Sequence, residues 1–166
     1  MLSKAAEAFA AVMARVSLWA GYAAALCIVA MTALIGVEVI GRTLFRASTM
    51  VADEMSGYLN TAVVFLGLSY SLREGGFIRI ELLYNRLAGP AKRVARWGIG
   101  LVSLAYMVIV VIYMARHVAY SYEQGIRSTD MAETPLFLPQ SVVLAGSIIL
   151  ALQLLAYLIN RLRDMP

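Results

Sequence analysis

Four long apolar stretches, separated by clusters of charge, constrain this chain more than any motif in it. Arg15 and Arg42 bracket 26 residues whose only charge is Glu38. Arg46 and Arg73 bracket another 26, with acids only at Asp53 and Glu54. Arg96 and Arg116 bracket 19 residues with no charge, and 134–160 is a 27-residue run with none. A hydrocarbon core of about 30 Å takes about 20 apolar residues in a helix, and a helix satisfies its own backbone hydrogen bonds, as lipid demands. The spacing predicts an all-α membrane protein with four transmembrane helices, at about 16–41, 51–72, 95–122 and 136–159, forming one domain over 1–166.

Four such spans consume most of the 166 residues and leave no room for a soluble domain. Hydrophobic residues make up 61% of the chain and charged ones 14%, against about 25% charged in ordinary globular domains. The net charge of +4 sits at span ends, where basic residues orient helices, and so does not point to nucleic acid. Cys27 is alone, which excludes an intrachain disulfide. Arg15 interrupts the N-terminal segment, so no cleaved signal is expected.

The basic residues predict an orientation. Lys4, Arg15, Arg73, Arg79, Arg86, Lys92, Arg93, Arg96, Arg161 and Arg163 fall on one side of a four-span arrangement. Only Arg42, Arg46, Arg116 and Arg127 fall on the other. Ten against four places both termini and the middle loop in the cytoplasm. Within that loop, Phe77, Ile80, Leu83, Tyr84 and Leu87 share one arc of a helical wheel, while Arg79, Glu81, Asn85 and Arg86 lie outside it. Ile78 and Leu82 spoil the polar face. The pattern favours a short cytoplasmic interfacial helix over about 77–88, in contact with membrane lipid, over a plain connection.

The polar residues within the spans are weighed against the cost of charge in lipid. Glu38 and Arg42, four apart, share a helix face and can pair. A structural pair near the outer interface is favoured over a proton or substrate site, because Glu38 stands only four residues from Arg42 at the span's end. Asp53 and Glu54 open the second span, where acids complement the helix dipole and can pair with Arg42 or Arg46 or dock a partner. The third span carries Tyr106, Tyr113 and Tyr120 at intervals of seven, with Arg116 and His117 on the Tyr113 face. This stripe is expected to face protein, either the other three spans or a second subunit. With one histidine, a bis-histidine haem and a His/Cys zinc cluster are excluded within the chain. No phosphate-binding loop and no nucleophile–base pair is present, so no catalytic residue, cofactor or metal site is expected.

Three stretches carry a family resemblance: VIGRTLFRASTMVADEMSGYL, VVFLGLSYSLREGGFIRIELL, and TPLFLPQSVVLAG with ALQLLAYL. In order and spacing, from Val37 to Leu158, the set resembles the small membrane subunit of tripartite ATP-independent periplasmic (TRAP) transporters, the DctQ type. One departure is Phe77, where the family often has histidine; phenylalanine suits an interfacial helix. The resemblance implies a non-enzymatic accessory subunit of the bacterial inner membrane. Its partners would be a large permease of the DctM type, which carries the sodium and substrate sites, and a periplasmic substrate-binding protein that delivers an organic acid. Glu38, Arg42, Asp53, Glu54, Arg79, Tyr113, Arg116 and His117 would then be structural or partner-contact residues. Two other classes stand beside it: a small four-span multidrug exporter with an acid in its first span, and a membrane scaffold or assembly protein.

Overall fold

The computed structural model describes residues 2–46, 48–76 and 89–163. They form four helices: α1 (Leu2–Phe45), α2 (Ala52–Arg73), α3 (Gly89–Glu123) and α4 (Phe137–Arg163). Helices α1, α3 and α4 are long and apolar enough to cross a membrane. Helix α2 has 22 residues, enough by length, but Asp53 and Glu54 in its first turn and interior polar residues such as Asn60 make it less apolar. Helix α1 starts well ahead of the expected boundary at 16, because no Pro or Gly interrupts the Ala-rich run before it and the helix continues through Arg15 into the apolar stretch. Likewise α3 starts at Gly89, ahead of the expected boundary near Ala95, with Pro90 in its first turn, where its missing N–H costs nothing. The interfacial helix expected over 77–88, and with it Arg79, lies outside the described residues.

The helices alternate in direction. At one end Ser17 of α1 donates a hydrogen bond to Gln153 of α4 at 3.1 Å. Tyr70 of α2 lies over Gly21 there, and Leu158 of α4 lies over Gly100 of α3. At the other end the α1–α2 and α3–α4 connections meet. Helix α4 packs against each of the other three, and α1 packs against α2. Accordingly 44% of α4's apolar window is buried, against 11% for α1 and for α3.

Small residues make these contacts possible. Ser17, Ser69, Ser121 and Ser147 are fully buried, as are Ala20, Ala24, Ala52, Ala62 and Ala156 or nearly so. In lipid, where apolar side chains gain little by leaving their surroundings, close backbone approach supplies the packing attraction. At Gly146 the approach is to the backbone of another helix: a Cβ there would sit 2.8 Å from the backbone of Phe65. Leu72, Met107 and Leu154 form the one cluster of large buried side chains among the described residues, joining α2, α3 and α4.

Candidate partner-contact and anchoring sites

Two buried carboxylates organise the loop end of the bundle. Glu38, on the last turns of α1, is 6% exposed. Its Oε1 accepts from Arg42 Nε at 2.6 Å and from Ser48 Oγ at 2.5 Å. Its Oε2 accepts from the Thr49 amide at 3.0 Å and from Thr49 Oγ1 at 2.5 Å. Arg42 also reaches Asp53 Oδ2 at 3.5 Å, so the network continues onto α2. The loop can double back because Arg46 and Met50 adopt φ of 50° and 54°. The spacing of Glu38 and Arg42 made their pairing legible in the sequence. The roles of Ser48 and Thr49 were not: placed just ahead of α2 they look like caps, yet Val51 is the N-cap and has no side-chain cap. Their hydroxyls serve Glu38 instead.

Glu54 is the second anchor, 9% exposed in the first turn of α2. Tyr58, one turn on, donates to its Oε1 at 2.8 Å. The hydroxyls of Ser128 and Thr134 and the Ala132 amide, all from the α3–α4 connection, close over the same carboxylate. Its Oε2 takes no hydrogen bond of good geometry. The connection is itself ordered: Arg127 and Pro135 form an antiparallel bridge, and the Ser128 amide donates to Thr134 O at 2.8 Å. Asp53, adjacent to Glu54, points away, with its side chain 89% exposed.

Of the two partners expected for the tyrosine stripe, the other three spans or a second subunit, the other spans do not cover it. Tyr106, Tyr113 and Tyr120 are 64%, 65% and 56% exposed. The reason is the position of α3 at the flank of the bundle, where α4 covers only its opposite face. Arg116 stands over the Tyr113 ring, 6.0 Å from its centroid. His117 points back toward α4, with its Nε2 3.2 Å from Gln140 Nε2. Tyr113 and Arg116 thus share an outward face and His117 leaves it.

Among the described residues no group of three or more His, Cys, Asp or Glu side chains is placed to hold a metal ion. The two carboxylate clusters tie loops to helix ends. The buried Ser17–Gln153 bond was also missed by residue-level reading, although Gln153 stands in the ALQLLAYL stretch that carried part of the resemblance.

Comparison with known proteins places this arrangement. The family model described as "Tripartite ATP-independent periplasmic transporters, DctQ component" matches residues 31–164. The chain is 27% identical over 125 residues to the ectoine TRAP transporter small permease protein TeaB of Halomonas elongata. That alignment covers 75% of this chain and 64% of the relative's own length. No solved structure matches the chain.

Proposed function

The chain belongs to the DctQ family of TRAP transporter components, and from that premise we propose that it is the small permease subunit of a sodium-coupled, binding-protein-dependent importer of an organic acid. The observation that carries the reading is the family match over 31–164, which takes in both carboxylate anchors, the α3 stripe and all of α4. In this role the chain is no enzyme. It pairs with a large permease that holds the sodium and substrate sites, and a periplasmic protein brings the substrate. The named relative serves an ectoine transporter; ectoine carries a carboxylate, so an organic acid fits both chains as a class.

The subunit is assigned to the bacterial inner membrane, with α2 crossing alongside the three more apolar helices and both termini in the cytoplasm. Basic asymmetry supports the orientation. The short ordered loops anchored by Glu38 and Glu54 would then face the periplasm, where the binding protein docks. Glu38, Arg42, Asp53, Glu54 and His117 act as structural residues; no side chain here is assigned to substrate or sodium.

Reconstitution tests the proposal. The chain alone in liposomes gives no uptake. With a large permease, a cognate binding protein and an inward sodium gradient, uptake of the labelled acid appears. Sodium-driven accumulation by the chain alone would overturn the accessory role and favour a small exporter-like carrier.

A further inference from the structure

The outward face of α3 carries chemistry that lipid does not satisfy. Val102, Tyr106, Ile109, Tyr113, Arg116 and Tyr120 follow one another at alternating steps of four and three residues, and each is exposed. That period makes a straight seam for a second helix crossing at a shallow left-handed angle. Spacing alone does not decide the matter, since Tyr22, Leu26 and Val29 expose a similar stripe on α1. Beyond Tyr22 that stripe is aliphatic and suits acyl chains. On α3, Tyr106 is the central residue of the uncharged window 97–115, which sets it at mid-membrane. Its hydroxyl makes no hydrogen bond among the described residues, and hydrocarbon offers none. Arg116 makes no ion pair among them, and its guanidinium stands over the Tyr113 ring.

A second copy of this chain is a poor occupant. Two copies inserted in the same sense would pair about an axis along the membrane normal. Arg116 would then face Arg116 at one depth, a like-charge contact that costs affinity. The seam asks for a helix of different sequence with an acid at that level.

We propose that this face of α3 is the seam for one transmembrane helix of the large permease subunit. That helix carries a carboxylate level with Arg116 and a hydrogen-bond acceptor level with Tyr106. The inference rests on the small-subunit function proposed above. A groove of about 490 Å³ shares Val102 and Tyr106 with the seam and runs inward between Leu68, Leu72, Met107 and Leu154. It gives one side chain of the docked helix a place to seat.

The test uses the assembled transporter. A photo-crosslinking benzoylphenylalanine replaces Ile109 or Tyr113 on α3, or Val29 on α1 for comparison. After illumination in membranes, adducts are identified by mass spectrometry. Positions 109 and 113 should join this chain to the large permease, and position 29 should give lipid adducts. In parallel, Arg116→Glu should lower recovery of the large permease with this chain by roughly tenfold, the scale of replacing one ion pair by a repulsion, whereas Arg116→Lys should retain it. Adducts between two copies of this chain, or lipid adducts alone from positions 109 and 113 in an intact complex, overturn the seam and leave the small-subunit function standing. Failure of any large permease to copurify with the unaltered chain overturns both.

Discussion

At Glu38 four donors converge on one carboxylate, and only one of them is a charged partner. This decides how substitutions there should behave. Arg42 is half exposed, so its ion pair contributes little to stability, as exposed pairs generally do. Ser48 and Thr49 are exposed, so water can replace Glu38 as their acceptor. What removing Glu38 takes away is three further bonds that hold the loop to α1, each with a net worth of about 0.5–1.5 kcal/mol and more to a charged acceptor. Thermal unfolding of the purified complex should therefore show Glu38→Ala falling by several degrees and Arg42→Ala by much less. Exchanging the two residues should not restore stability, because an arginine at 38 offers no acceptor to the loop. Uptake by the Glu38→Gln transporter should persist while the complex holds together. Its loss from an intact complex would assign Glu38 to ion coupling. The pair itself was legible, since four residues set two side chains on one helix face. The loop donors were not, because their reach depends on the positive φ of Arg46 and Met50, which the sequence does not announce.

Helix by helix, the apolar runs specified α2 and α4 closely, because in lipid length and hydropathy are the dominant constraint, whereas α1 and α3 begin ahead of their runs, at Leu2 and Gly89. What the runs could not specify is which helix is central. Helices α1, α3 and α4 are all long and apolar enough to cross a membrane, yet it is α4 that touches every other helix. The determinant is small residues at particular levels, and Gly146 is the clearest: its missing Cβ lets α4 reach the Phe65 backbone. Gly146→Ala forces that crossing apart, and overpacking of this kind costs about 1–3 kcal/mol. Gly36 of α1 has nothing within 4 Å of its Cβ position, so Gly36→Ala should leave stability unchanged or raise it slightly through helix propensity. Melting of the two variants in detergent, measured beside the unaltered chain, checks the contrast. Equal effects would show that the α2–α4 contact does not depend on close backbone approach. The α3 stripe illustrates the same limit. Its polarity predicts a face unsuited to lipid, but sequence alone could not say that α4 occupies the opposite face and leaves the tyrosines outward.

For the molecule as a whole, the alternating helix directions bring the start of α1, Gly76 and the end of α4 to one end of the bundle, and the two anchored loops to the other. Which end faces the cytoplasm is a matter of charge: in the four-span arrangement expected from the sequence, ten of the fourteen basic residues fall on the side of the start of α1 and the end of α4, and basic residues are retained on the cytoplasmic side during insertion. The anchored end has its own acids, Asp53 and Asp130 among them, but acids count little in orientation. In a Cys27→Ser background, a membrane-impermeant thiol reagent added to intact cells should label Thr129→Cys, which is exposed in the α3–α4 connection. It should not label Glu74→Cys, exposed just past the end of α2, until the membrane is opened. Placing Glu74 outside would invert every assignment built on the anchored loops: Glu38 and Glu54 would then shape a cytoplasmic surface, out of reach of a periplasmic binding protein. Labelling of both positions in intact cells would instead show that α3 fails to cross, and would remove the midplane setting from which Tyr106 draws its need for a partner.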